Sequence, residues 1–136
     1  MVNLFSGDVM VALTKSLDTG ALRQKVSANN IANVNTPYFK KSSVEFESYL
    51  IRALSKDPMP MRATHERHFG QQPGLESVRP EVIRHRGTLM RTDLNNVDID
   101  EEMTNMAANS IMYQTLTKLI SDKYSGFSTV ISGGRR

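Results

Sequence analysis

At 136 residues the chain has the length of one domain, and its 39% hydrophobic and 7% aromatic residues, with no Trp and eight Met, allow a modest, aliphatic core. The absence of Cys excludes disulfides, thiol nucleophiles and Cys-based zinc sites. The net charge of +3 and pI of about 9.3 come largely from Arg62, Arg67, Arg79, Arg84, Arg86 and Arg91, which read as a solvated basic loop before a nucleic-acid surface.

No apolar window reaches the length of a membrane span, and the N-terminus lacks the basic and compact apolar regions of a signal peptide, so no cleaved leader is expected. Residues 8–33 predict an amphipathic helix. Asp8 is placed to cap it, and Met10, Leu13, Leu17, Ala21, Ala28 and Ile31 fall near one face, flanked by Leu22 and Val26. Gly20 is a weak point in its middle.

The helix runs into Ala28-Asn29-Asn30-Ile31-Ala32-Asn33-Val34-Asn35-Thr36-Pro37, with four Asn in seven residues. Asn suits helix ends and turns, where its amide satisfies free backbone groups, and Pro37 disfavours helix at Thr36. Asn33 and Asn35 read as a C-cap and turn. Asn29 and Asn30 lie a full turn earlier; buried amides there need partners, and a neighbouring subunit is one source.

Ser42 and Glu45 have capping-box spacing ahead of Phe46, Tyr49, Leu50, Ala53 and Leu54, predicting a short helix over residues 42–55. From Lys56 to about Ser77 the periodicity dissolves among Pro58, Pro60, Gly70, Pro73 and Gly74, the composition of a flexible loop or insertion. Val82, Ile83, Leu89 and Met90 around Gly87 fit two short strands or an extended arm, and Asn95 and Asn96 mark a turn.

The longest pattern is the last. Ile99, Met103, Met106, Ser110, Tyr113, Thr117, Ile120, Tyr124, Phe127 and Ile131 recur at alternating gaps of four and three, a heptad seam widened by Ala107, Leu116 and Val130. Asp98 is a good N-cap with Glu101 in capping-box position, Asp100 and Glu102 add charge to the first turn, and Gly133 and Gly134 end the helix. Such a helix runs on the order of 50 Å, too long to hide its stripe in a small globule, so it must lie along another helix of this chain or of a second copy.

The expected fold is therefore mainly α: long N- and C-terminal helices as an antiparallel coiled-coil-like pair, with a short helix and a flexible, partly extended middle region. Residues 1–55 and 88–136 form a discontinuous helical core, interrupted by residues 56–87 as a Pro/Gly/Arg-containing loop or small arm. Nothing predicts catalysis, a cofactor or a small-molecule substrate. His65, His68 and His85 lack an acidic ligand at fixed spacing, so no metal site is predicted. The acidic run from Asp98 fails the EF-hand pattern at Val97 and Asp98. No phosphate loop or nucleophile elbow is present.

The asparagine-rich run, with Asn29, Asn30, Ile31, Ala32, Asn33, Thr36 and Pro37 followed by Phe39 and Lys40, resembles the signature of the flagellar basal-body rod and hook family. The stretch Asn96 to Met103, with Asn109, Tyr113 and Gln114, resembles its rod subset, and the short length and the ending Phe127 to Ile131 its proximal-rod members. The resemblance covers roughly residues 8–50 and 88–131. One departure stands out: the family has Gly after Thr-Pro where this chain has Tyr38.

The resemblance implies a structural subunit exported unfolded and uncleaved by the flagellar type III apparatus, then polymerising through its terminal helices into the periplasmic rod of the basal body. It implies as partners other copies, other rod proteins, the adaptor between the MS ring or export gate and the rod, and the export apparatus, with no nucleic acid. Phe5 and Val9 have the spacing of the family's export-gate motif, and equally that of a hydrophobic staple around Asp8. The assembly seam is expected at Met103, Met106, Tyr113, Leu116, Ile120, Tyr124 and Phe127, and the terminal helices are expected to be partly disordered in the free monomer. The same heptads would serve a non-flagellar coiled-coil oligomerising adaptor, and the arginines a basic nucleic-acid-binding module.

Overall fold

A computed structural model of the chain describes residues 7–54, 74–87 and 92–133. It is mainly helical. A first helix, α1 (Asp8–Ala32), runs antiparallel to a last helix, α3 (Ile99–Ile131), and against their shared flank lies a two-stranded sheet of β1 (Ser42–Glu45) and β2 (Glu81–Arg84). A short helix, α2 (Glu47–Leu54), and a 3-10 turn (Leu75–Ser77) complete the described elements and touch each other. The antiparallel register is set by Asn109 and Tyr113 against Gly20, and by Tyr124 beside Met10 and Val11.

Two local expectations need correction. Asp8 does not cap α1; Gly7 holds the cap position in extended backbone, and Asp8 is the first helical residue, where its charge still complements the helix N-terminus. Residues 42–45 are a strand, not the first turn of the short helix. They pair antiparallel with β2, Ser42 opposite Arg84 and Glu45 opposite Glu81, while Val44 and then Phe46 point into the core with period two. The short helix begins only at Glu47, so Tyr49, Leu50, Ala53 and Leu54 are helical and Phe46 precedes them. Val82 and Ile83 lie in one strand, β2, whose partner is β1; Leu89 and Met90 fall outside the described residues. Of the middle region 56–87, residues 74–87 lie on the helical core, with Val78 buried and Lys15 Nζ donating to its carbonyl at 2.8 Å.

Met10, Val44, Phe46, Val78 and Val97 are the buried apolar side chains among the described residues. Polar side chains share this interior: Thr19, Asn30, Asn95, Asn96 and Glu102 are also buried. Thr19 is satisfied within its own helix, its hydroxyl donating to the Lys15 carbonyl at 2.8 Å.

Candidate functional site

Where α1 ends and α3 begins, asparagine side chains hold the backbone. Asn30 sits in the last turns of α1. Its Nδ2 donates to the Ser42 carbonyl at 2.8 Å, and its Oδ1 accepts from the Ser42 amide at 3.0 Å. The amide thus acts as one rung of a sheet and starts β1. Its partner lies in the same chain, where a neighbouring subunit was one expected source. Asn29 is exposed and supplies its carbonyl to Asn33 Nδ2 at 2.8 Å. Asn33 caps α1, and its Oδ1 accepts from Thr36 Oγ1 at 3.2 Å. Ile31 is half-buried, while Ala32, Thr36 and Pro37 are exposed.

Asn95 and Asn96 hold the centre, both 0% exposed. Asn95 Nδ2 donates to the carbonyls of Asn33, Val34 and Thr36 at 2.9–3.0 Å, and its Oδ1 accepts from the Val97 amide at 2.8 Å. It gathers the carbonyls left free where α1 stops. Asn96 Oδ1 accepts from the Lys41 amide at 2.7 Å, and its Nδ2 donates to the His85 carbonyl at 2.9 Å. One side chain therefore joins the run after α1 to the end of β2. The sequence reading took both residues for an ordinary turn. The signal available was two adjacent amides, separated from a capping Asp by Val97 alone, and an asparagine-rich run elsewhere in the chain.

Asp98 caps α3 as expected, its Oδ1 accepting from the amides of Asp100 and Glu101 at 2.9 and 3.3 Å. Glu101 accepts from Lys41 Nζ at 2.7 Å, and Lys40 Nζ donates to the Leu94 carbonyl at 2.7 Å. Tyr38, at the family's glycine position, still adopts the left-handed backbone with φ +63°, and its amide donates to the Asp93 carbonyl at 3.0 Å. Leu94 faces it across the junction at φ +62°. Such φ values are costly for bulky L-residues.

On the flank of this junction, Arg23 forks onto both Glu47 oxygens at 2.5 and 2.7 Å and also reaches the Val44 carbonyl. The guanidinium holds the Glu47 carboxyl below its ordinary value. Ser43 Oγ lies 2.7 Å from His85 Nε2. This pair ties the strands together: Asn96 holds the His85 carbonyl, and the contact has none of the acid partner or oxyanion donors of a hydrolase site. No group of three or more metal-ligating side chains occurs among the described residues; His65 and His68 lie outside them.

Beyond the junction the two helices form a shaft. The expected seam does not stay on one side of it. A heptad repeat drifts by roughly 20° per heptad on a straight α-helix. Met106, Leu116, Ile120 and Phe127 are half-buried, Leu116 in a cavity shared with Ser16, Thr19 and Gly20 of α1; Tyr113 lies against Gly20, and Tyr124 shares a cavity with Met10 and Thr14. At the other end of the drift, Ile99 and Met103 remain 46% and 49% exposed. The polar seam residues Ser110 and Thr117 bond their own helix carbonyls at Met106 and Tyr113. A second face of α3 exposes Ile111, Met112, Leu119 and Val130. Val9 is exposed at the start of α1; Phe5 lies outside the described residues.

A long helix with apolar surface on several sides, based on a tightly bonded junction, has the form of an assembly subunit. Comparison with known proteins agrees. Residues 17–40 match the family described as flagella basal body rod protein. The chain is 34% identical over 134 residues to the flagellar basal body rod protein FlgB of Bacillus subtilis (strain 168), covering 98% of this chain and 100% of that protein. The chain belongs to the FlgB family. Its likeness to the FlgB of Borrelia hermsii is 35% over 135 residues, covering 96% of this chain and 99% of that one. As a FlgB-family member it is a structural subunit of the flagellar basal-body rod and not an enzyme. Among its described residues no helix is long and apolar enough to cross a membrane.

Proposed function

We propose that the chain is a subunit of the proximal rod, exported uncleaved through the flagellar type III apparatus and polymerised in the periplasm through α1 and α3. The observation that supports this reading is α3 itself: 33 residues that one partner helix of 25 covers along one side only. Exposed apolar faces of this extent mark interaction surfaces. Heterologous contacts between copies, with a rotation that does not close, convert such subunits into a helical tube. Residues 1–55 and 88–136 act as one discontinuous unit in this assembly.

Each seam residue then has one of two duties. Met106, Tyr113, Leu116, Ile120, Tyr124 and Phe127 hold α1, and Met103 faces neighbouring subunits. Asn29, Asn30, Ile31, Ala32, Asn33, Thr36 and Pro37 shape the junction that orients the shaft. Val9, exposed in the first turn of α1, is accessible to the export gate together with Phe5. The remaining partners are other rod proteins, the adaptor between the MS ring or export gate and the rod, and the export apparatus.

The test is complementation of a motility-deficient deletion strain. Ile120→Asp places a charge on the shaft and is expected to abolish rod assembly and swimming. Met103→Asp, at an exposed position, is expected to leave the monomer's melting temperature unchanged and still block assembly. Normal swimming in both variants would overturn the seam, and failure of the unmodified chain to restore flagella would overturn the rod reading.

A further inference from the structure

Among the described residues Glu102 is the one charged side chain that is buried, at 4% exposure. Neither ion pair of those residues, Arg23–Glu47 and Lys41–Glu101, involves it, and no described side chain hydrogen-bonds to its carboxylate. A negative charge in the first turn of α3 gains from the field of the helix N-terminus. Asp100 and Glu101 have that gain at exposed positions, so the field does not explain why Glu102 is buried. A carboxylate withdrawn from water without a partner is costly.

Glu102 lines a cavity of about 320 Å³ where α3 meets α1 and β1, a volume within the range that holds small ligands. Asn105 and Asn109 follow it on the same stripe of α3, and the buried Asn109 Oδ1 also has no partner. The other walls do not answer these acceptors. Arg23 lies there, but its fork is committed to Glu47 and the Val44 carbonyl, and its charge is balanced by Glu47. Ser43 Oγ pairs with His85 Nε2. The uncompensated charge of the cavity is therefore that of Glu102. Val26, Val44 and Met112 add an apolar side to the same space.

We propose that this cavity is a binding site for an arginine side chain of a different polypeptide. A guanidinium is a weakly hydrated cation whose parallel N–H groups match a carboxylate, and its methylene stem covers apolar surface. The fork seats on Glu102 and the stem on Val44 and Met112. Within the assembly reading above, on which its biological role rests, the cavity gives the subunit a contact for a protein unlike itself. The cavity itself belongs to the free chain and is testable there, without a rod.

The probe is the peptide acetyl-Ala-Arg-Ala-amide, titrated into the isotope-labelled full chain and followed by amide shifts. Saturable shifts are expected around residues 27, 42–44 and 102–109, with a Kd of about 1 mM, since a single side chain anchors the peptide. The peptide carrying uncharged, isosteric citrulline should bind at least about tenfold more weakly. Glu102→Gln should weaken the arginine peptide to the same degree and leave the melting temperature unchanged or raised. A fall of more than about 4 °C would show the carboxylate to be satisfied already in the free chain and would overturn the proposal. Asn105→Arg, at an exposed position one turn from Glu102, supplies a guanidinium from the same helix and should cut peptide binding at least several-fold; it keeps the test open should Glu102→Gln fail to fold. No binding by about 20 mM peptide, equal affinity for the citrulline peptide, or shifts confined to other faces would each overturn the site. So would self-association of the unmodified chain that Glu102→Gln abolishes, because the occupant would then be a second copy. If the peptide fails to bind while the unmodified chain restores flagella in the deletion strain, the arginine site falls and the rod reading stands; failure of that restoration strikes the rod reading itself.

Discussion

The junction and the shaft are built from similar residues and held in opposite ways. At the junction the buried amides of Asn30, Asn95 and Asn96 each bond backbone groups of the same chain through both oxygen and nitrogen. Along the shaft, Asn109 Nδ2 donates to the Gly20 carbonyl at 2.9 Å and to Gln24 Oε1 at 3.0 Å, but its buried Oδ1 accepts from no described residue. The contact around it is lined by Gly20, Ala21, Gln24, Ser110 and Tyr113, small or polar side chains that bury little. The difference teaches where specificity is spent. A fully bonded polar cluster in low dielectric fixes one geometry, because any slip leaves several groups unpaired. A sparse helix contact fixes register loosely and leaves apolar surface for other chains.

The sharpest way to break this contrast is at Asn95. Asn95→Ala would remove the amide that bonds the Val34 and Thr36 carbonyls and the Val97 amide, while the Asn33 carbonyl keeps the Thr36 amide, and at about 1–3 kcal/mol for each group left dry the loss should reach roughly 3 kcal/mol. Asn29→Ala, at an exposed side chain one turn from the cap, should cost under about 0.5 kcal/mol. Urea unfolding of the pair reads the difference; equal costs would remove the junction's special standing. On the shaft, Gly20→Leu tests how loosely the helices meet. A bare Cβ already comes within 3.2 Å of Tyr113 Cδ2, so the larger side chain should cost about 1–3 kcal/mol by overpacking. The junction should stay intact, visible as unchanged amide exchange at Val97 and Lys41. Loss of protection there would mean that the two regions are one cooperative unit.

The smallest effect lies on the flank. Glu47 ionises more readily in the folded chain than unfolded, because Arg23 donates to its carboxylate. Its folded pKa is depressed, so the contribution is fully present above the ordinary value of 4.5 and is lost as pH falls through the folded value. The carboxylate is largely solvated, so the whole contribution should stay below about 1 kcal/mol. Arg23→Gln should therefore lower stability at neutral and alkaline pH by up to that amount, together with the lost bond to the Val44 carbonyl, and flatten the acid limb, the Glu47 part of the difference vanishing once the carboxyl is protonated.

What the sequence disclosed follows from range. The ends of α3 were readable because their signals are local: Asp98 bonds amides two and three residues on, and Gly133 takes a φ of +67° just past the last turn. The long antiparallel pair was readable because amphipathic periodicity accumulates over many turns. The strand at residues 42–45 was not. Its Ser-x-x-Glu spacing is a good local imitation of a helix start, and what overrides it is the Asn30 amide twelve residues earlier in sequence and β2 far later. Asn95 and Asn96 were missed for the same reason, since their partners are 55–62 residues away on one side. The seam residues differ in exposure along α3, from half-buried Met106 and Ile120 to Ile99 and Met103 at 46% and 49%. A strict heptad describes a supercoiled partner, while α3 beside one shorter helix follows its own 3.6-residue turn.

The pairing of Glu45 with Glu81, and the contact of α2 with the 3-10 turn, give this chain a socket. The helix α2 ends at Leu54 and the 3-10 turn begins at Leu75, and these two elements touch. Closing a flexible loop between fixed neighbouring points costs only about 0.6 kcal/mol more for each doubling of its length. The stretch between can therefore be exchanged, lengthened or replaced by a foreign module while the junction and shaft keep their geometry. A tag or probe inserted between those two elements should leave the contacts of the helix pair in place.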